Sequence, residues 1–294
     1  MNLQDYLSEK CRIIDVALAE YLPPEDRFPD VIFRAMRYGV LNGGKRLRPA
    51  LALAACEAVG GDPKVALPAA CAVELIHAFS LIHDDLPALD NDDFRRGKPT
   101  SHKVFGEAIA ILAGDSLLAL AFETVTKRTE GVPSEVVLEV TRRIASAAGV
   151  GGMVAGQVVD MISEGKEIRP ETLEFIHRNK TGSLIEASVI AGGMLGGGTP
   201  EQIKALALYG QKVGLAFQIA DDILDIEGEQ EKTGKTIGSD FRKQKATYPS
   251  LYGLEKSGEL ARQAADEAIA ALRDFDERAD PLRELAHFIV AREA

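Results

Sequence analysis

The chain has no tryptophan, only 6% aromatic residues and three cysteines in 294 residues. Cys11, Cys56 and Cys71 are an odd set with no Cys-x-x-Cys pair, and each has Ala, Val or Ile close by. That excludes a disulfide scaffold and a thiolate zinc site, and the expectation is three buried, reduced thiols. Positive charge is also short. Lys and Arg total 34 against 45 Asp and Glu, a formal charge of −11, which argues against a general nucleic-acid binder. The longest charge-free run, 144–159, holds four glycines. It falls short of the roughly 20 apolar residues a membrane-spanning helix needs. The first residues lack the basic region and apolar core of a signal peptide, so the expected location is the cytoplasm. No Gly-x-Ser-x-Gly, Walker loop or Gly-x-Gly-x-x-Gly fingerprint occurs, and no nucleophilic triad is visible.

What the chain does have is helix signal. With 46% hydrophobic and 27% charged residues it has the composition of a globular protein with a sizeable core. Asp62-Pro63, Thr199-Pro200 and Asp280-Pro281 each put a capping side chain before a proline, and Thr199 with Gln202 reads as a capping box. Leu206, Tyr209, Val213, Phe217, Ala220 and Leu224 recur at three- and four-residue spacing. Alternating Val/Ile/Thr runs bounded by hairpin turns are missing. The expected fold class is all-α, with helices over 2–21, 30–40, 48–59, 63–86, 104–128, 134–163, 170–195, 200–226, 246–256, 259–275 and 281–292. No Pro/Gly/Ser linker divides the chain and no 20–50-residue repeat is present, so residues 1–294 read as one domain. Gly192-Gly193 and Gly196-Gly197-Gly198 read as C-cap and turn residues rather than a phosphate loop. The polar, aperiodic segment 227–243 reads as a candidate lid.

Two aspartate clusters carry the chemistry. Asp84-Asp85, Asp90 and Asp92-Asp93 follow a strongly apolar helix, at its C-terminal end, where the macrodipole disfavours anions. Asp221-Asp222 and Asp225 lie among Ala220, Ile223, Leu224 and Ile226, with Asp221 and Asp225 on one helix face. A single acidic run in an acidic protein is usually a solvated face. Two of similar form, each after an apolar helical run, point to a shared partner. Carboxylates without His or Cys suit Mg²⁺, which commonly takes one or two carboxylates, waters and substrate phosphate oxygens.

Cations accompany them. Gly43-Gly44-Lys45-Arg46-Leu47-Arg48 places three cations after two glycines, and Arg forks match phosphate oxygens. Arg95, Arg96 and Lys98 follow the first cluster, where simple neutralisation of Asp92 and Asp93 is the plainer explanation. Lys180 sits in a helical stretch, Lys235 lies within the polar segment and Lys245 just after it; each could equally be a solvated lysine. His77 is two turns before Asp84, about 10 Å along the helix, and is as plausible a core residue as a ligand.

In chain order these residues resemble the trans-prenyl diphosphate synthases, and most closely the bacterial farnesyl diphosphate synthases. The resemblance runs through Gly43 to Pro49; Ile82 to Pro87 and on to Asp90; Asp93 to Gly97; Gly156-Gln157; Lys180-Thr181-Gly182; Phe217-Gln218; Asp221-Asp222 to Asp225; Lys235; and Lys245 to Pro249. It implies a helical bundle around a central cavity, with Asp84, Asp85, Asp90, Asp221, Asp222 and Asp225 holding three Mg²⁺. It implies an allylic diphosphate held by Arg95, Lys180 and Lys235, and isopentenyl diphosphate held by Lys45, Arg48, His77 and Arg96, with Lys245 also at the substrate. Thr181 and Gln218 would line the reacting centre. Phe79, with four residues between Asp85 and Asp90, would limit the product to fifteen carbons. A homodimer is implied as well. Ala220 and Met161-Ile162-Ser163 depart from the family's pattern. A geranylgeranyl diphosphate synthase shares nearly every motif, and Phe79 weighs against it. A terpene cyclase would not need the Lys45/Arg48/His77 set, and an inactive regulatory subunit would not need both intact aspartate clusters.

Overall fold

The computed structural model describes residues 2–227 and 247–291, and there the chain is a bundle of α-helices. In order these are α1 (Leu3–Tyr21), α2 (Asp30–Leu41), α3 (Leu47–Ala58) and α4 (Pro63–Asp84). A two-stranded hairpin, β1 (Phe94–Arg95) and β2 (Lys98–Pro99), follows. Then come α5 (Ser101–Phe105), α6 (Glu107–Arg128), α7 (Ser134–Ala148), α8 (Met153–Ser163) and α9 (Pro170–Ile176). A π turn (His177–Gly182) leads into α10 (Ser183–Leu195), followed by α11 (Pro200–Glu227), α12 (Tyr248–Tyr252), α13 (Leu254–Ala271) and α14 (Asp280–Ala291).

The capping chemistry sets several of these starts. Asp62 accepts from the Lys64 N–H at 3.0 Å, ahead of Pro63 at the first helical position. Thr199 and Gln202 form the reciprocal box, at 2.9 and 3.3 Å. Glycines cause most of the differences from the sequence reading. Gly106, at φ 83°, splits the expected 104–128 helix into α5 and α6. Gly149 to Gly152 divide 134–163 into α7 and α8. The expected 63–86 helix ends two residues sooner, at Asp84, with Asp85 as its C-cap. The 259–275 helix is displaced and runs from Leu254 to Ala271.

Two cores adjoin, and α3 and α10 form the wall between them. Ala50, Ala52, Leu53, Leu184 and Ala191 face the core built around α4 and α6. Leu51, Ala54, Ala55, Ile185 and Val189 face the core of α11, α13 and α14. The wall is thin because its residues are small. A Cβ on Gly192 would fall 1.9 Å from the Ala52 carbonyl oxygen, so α3 and α10 meet backbone to backbone and Gly192 is part of a helix interface. That corrects its assignment as a cap or turn residue; Gly196 does cap α10 and Gly197, at φ 81°, does turn the chain.

Cys56 and Cys71 are buried as expected, and Cys11 is half-buried. Three stretches, Pro63–Asp84, Glu107–Arg128 and Ser134–Ser163, are long and apolar enough to cross a membrane by length and composition. None of them is a charge-free run, because isolated charges such as Glu74 interrupt them. In Pro63–Asp84, 72% of the apolar window is buried inside the protein, so its apolarity builds the core.

Candidate active site at the two aspartate clusters

The first cluster sits where α4 ends and the chain folds back. The Asp90 N–H donates to the Asp84 carbonyl at 2.8 Å, and Asn91 takes φ 52° to complete the return. Arg96 and Gly97 then form a two-residue turn with both φ positive (53° and 73°), the geometry that matches strand twist in a hairpin. The sequence reading contains no hairpin here; Arg-Gly is its only cue. The hairpin delivers Arg95 to Asp85. Nε lies 2.7 and 3.0 Å from the two carboxylate oxygens, and Nη2 lies 2.6 Å from Oδ1. Asp85 is 3% exposed, and burial pushes its carboxyl up against the pull of Arg95. Neutralisation is therefore redistributed from the simple expectation. Arg95 serves Asp85 first and reaches Asp92 only at 3.8 Å, Lys103 pairs with Asp93 at 2.7 Å, and Arg96 donates to the Gly43 carbonyl.

That Gly43 carbonyl belongs to the glycine-led basic segment. Arg46 adopts a left-handed backbone (φ 46°) as it caps α3. Its side chain does not face a ligand site: the guanidinium is buried and bonds Glu74 at 2.7 Å, Asp15 at 2.8 Å and the Val40 carbonyl at 2.8 Å. Arg46 is an anchor that fixes the segment carrying Lys45 and Arg48. Glu74, 3% exposed in the middle of apolar α4, is not among the sequence candidates; its isolation in an apolar helix is the signal that could have found it. Removing one member of a buried ion pair strands the other charge. Glu74→Ala should therefore lower unfolding free energy by about 3–5 kcal/mol in urea titration, and a loss below about 1 kcal/mol would show that the pair is not an anchor.

Arg48 and His77 lie beyond this anchor. Arg48 retains accessible surface, yet burial pushes its guanidinium down, and Nε has no hydrogen-bond partner within the protein. It feels Asp221 of α11, so the basic segment and the second cluster lie within electrostatic reach of each other. Burial also pushes His77 well below the usual imidazole range. Arg48, Arg96, Arg95 and Arg46 push the same way and hold the ring neutral. Crowded, desolvated cations of this kind call for an anion. Lys45 is exposed at the edge of the group.

The second cluster is built on α11 against the π turn. The resemblance places Lys180 and Thr181 at the reaction, and both lie in that turn, a feature often found at functional sites. Lys180 reaches Asp160 of α8 at 2.6 Å. α8 comes that close because Gly156 has no side chain; a Cβ there would lie 2.1 Å from the Lys180 backbone nitrogen. Asp160, which stands close after Gln157, is a partner of Lys180 that sequence reasoning does not single out. Thr181 Oγ1 donates to Gln218 Oε1 at 2.8 Å, and Gln218 Nε2 donates to Asp222 Oδ1 at 3.0 Å. Asp222 is buried, whereas Asp221 and Asp225 are partly exposed. Phe79 lies on α4, edge-on to His83 with ring centres 4.8 Å apart. Lys235, Lys245 and the expected lid lie outside the described residues.

Among the described residues no three His, Cys, Asp or Glu side chains converge into an all-protein metal cage. Magnesium does not need one, because it usually keeps waters and shares one or two carboxylates with substrate phosphates. Of the six aspartates that the resemblance assigns to magnesium, Asp85 bonds Arg95 and Asp222 bonds Gln218 and the Tyr248 N–H; the donor atoms at the other four, Asp84, Asp90, Asp221 and Asp225, are carboxylate oxygens alone, and such a set fits Mg²⁺.

Comparison with known proteins agrees over nearly the whole length. The family model described as Polyprenyl synthetase matches residues 29–285. The chain is 48% identical to a geranylgeranyl diphosphate synthase of Cyanophora paradoxa, covering 99% of this chain and 97% of that one. It is 47% identical to a farnesyl diphosphate synthase of Geobacillus stearothermophilus, covering 100% and 99%. Among solved structures, an FPP/GFPP synthase of Zymomonas mobilis superimposes with a TM-score of 0.88 at 40% identity, covering 99% of both chains.

Proposed function

We propose that this chain, which belongs to the polyprenyl synthetase family and is a prenyltransferase, condenses dimethylallyl or geranyl diphosphate with isopentenyl diphosphate to give (E,E)-farnesyl diphosphate. The observation that carries this reading is Arg48. It is a desolvated guanidinium with an unsatisfied Nε, set among other cations and a neutral His77, and it lies within reach of Asp221 on the opposite helix. Such a group is built for a diphosphate beside a carboxylate site.

The reaction breaks the allylic C–O bond and leaves diphosphate carrying the charge. Asp84, Asp90, Asp221 and Asp225 would hold magnesium, three ions per site, which when bound neutralises that charge. Lys180 and Arg95, with Lys235, stabilise the departing diphosphate by direct charge. Arg48, Lys45, Arg96 and the neutral imidazole of His77 hold isopentenyl diphosphate, with Lys245 assisting. Its double bond is thereby fixed beside the allylic carbon, where the new C–C bond forms. The proton then lost goes to the released diphosphate, so no strong protein base is required. Phe79 stops the chain at fifteen carbons, and the enzyme works as a cytoplasmic homodimer. Exposed apolar residues on α6, Ile111 and Leu112, support that association, and sedimentation should give twice the 31.6 kDa chain mass.

Incubation with dimethylallyl diphosphate, isopentenyl diphosphate and Mg²⁺ should give farnesyl diphosphate as the main product. A C20 main product would replace the farnesyl assignment with geranylgeranyl. Cyclised hydrocarbon formed without isopentenyl diphosphate would mark a cyclase, and folded protein without turnover an inactive subunit.

A further inference from the structure

We infer that Asp222 is a positioning residue rather than a metal ligand. Its carboxylate sets the direction of a hydrogen-bond chain so that oxygen lone pairs, not the N–H of Gln218 or the O–H of Thr181, are presented to the allylic cation. This rests on the elongation reaction proposed above.

Asp222 is one residue, about 100° of helix rotation, from Asp221. Asp221 and Asp225 share a face, while Asp222 turns into the protein, where it is 2% exposed. Both its oxygens accept from the protein. Oδ2 takes the Tyr248 backbone N–H at 2.9 Å, and Oδ1 takes Gln218 Nε2 at 3.0 Å. His177 Nε2 stands 3.6 Å from Oδ2, with its ring stacked on Tyr248 at 5.3 Å. Burial holds that imidazole neutral, pushed down to about 4.

The polarity follows from donor and acceptor chemistry. Both carboxylate oxygens act as acceptors, Oδ2 for the Tyr248 N–H and Oδ1 for Gln218, so Gln218 must offer its amino group. Gln218 Oε1 must then face away from Asp222, and there it accepts the Thr181 hydroxyl at 2.8 Å. Thr181 Oγ1 has used its one hydrogen and keeps its lone pairs. Reversing the chain would turn an N–H of Gln218 and the O–H of Thr181 the wrong way beside a developing cation. Asp222 thus fixes the polarity of two groups it holds at one and two hydrogen bonds' remove, and ties them to the start of α12.

The test is a reciprocal exchange. Asp222→Asn supplies one acceptor for Tyr248 and turns a donor toward Gln218, forcing the amide to flip. It should lower kcat about 10- to 100-fold. KM for isopentenyl diphosphate, the Mg²⁺ concentration for half-maximal rate and calorimetric binding of magnesium diphosphate should stay within about twofold. Adding Gln218→Glu restores every bond with unchanged net charge: the amide introduced by Asp222→Asn would donate to the carboxylate introduced by Gln218→Glu, and Thr181 would donate there too. The double variant should recover most of the lost kcat, whereas Gln218→Glu alone, which sets two carboxylates face to face, should be worse than the double variant. If Asp222→Asn does not fold, the comparison of Gln218→Glu with the double variant decides the matter. A tenfold rise in Mg²⁺ requirement, weakened magnesium diphosphate binding, or a double variant no better than the worse single one would overturn the inference. Absence of elongation by the wild type would instead remove the reaction on which it rests.

Discussion

Alanine at Asp84 or at Asp221 should lower turnover by at least about a thousandfold, roughly 4 kcal/mol of barrier, without lowering the melting temperature. Both halves follow from position. Ionisation of a diphosphate places negative charge where these carboxylates would bring in divalent cations, so losing one removes stabilisation that exists chiefly in the transition state. Neither carboxylate favours its own helix. Asp84 ends α4, where the macrodipole opposes an anion, and Asp221 stands four residues from Asp225 on α11. Both are only partly buried, in contrast to Asp85 and Asp222. Steady-state rates and thermal melts on the two variants test this together. A rate within about threefold of wild type in either one would remove it from metal holding, and a collapse of the fold would make its role structural.

Phe79→Ala should shift the main product from C15 to C20 or longer. The ring is braced by His83, which itself reaches a second helix. It meets His83 edge-on, at an interplanar angle of 76°. His83 in turn lies with Nε2 3.0 Å from the Ile111 carbonyl of α6, in the space left by Gly114, where a Cβ would collide with the imidazole. Phe79 is therefore a braced ring and does not swing aside for a growing chain without disturbing His83. It stands five residues before Asp84, about 7.5 Å down the helix from that carboxylate's residue. Truncation opens the volume of a phenyl group in a protein with few other rings to fill it. Mass spectrometry of the products reads the outcome. Unchanged chain length would show that the ring is ordinary packing between α4 and α6, and the farnesyl assignment would lose its structural basis.

Much of this architecture is legible in residue order because it rests on local chemistry. The caps at Asp62 and Thr199 and the three-four spacing of α11 act over one or two turns, and those helices form where expected. The aspartate clusters are visible for the same reason: spacing places carboxylates on a face. Spacing does not reveal whose oxygens are already occupied. Asp85 and Asp84 look alike in a sequence, yet Asp85 is gripped by Arg95, brought back by a hairpin ten residues on. Arg46 reads as a third phosphate-binding cation beside Lys45 and Arg48, and it is a buried anchor because Glu74, 28 residues away, faces it. Asp160 escapes notice because its partner Lys180 lies 20 residues downstream. Each of these is a long-range pairing, which only tertiary packing decides.

The π turn at His177–Gly182 has a wider effect on the rod formed by α9 and α10. Accommodating one surplus residue there shifts the helical frame, so side chains before and after it no longer follow a common 3.6-residue count. A helical wheel drawn across 170–195 misassigns one half of it. Deleting a single residue from the turn would bring the wheel back into phase, and would swing everything upstream by about 100°, parting α9 from the direction in which Lys180 and Thr181 now point.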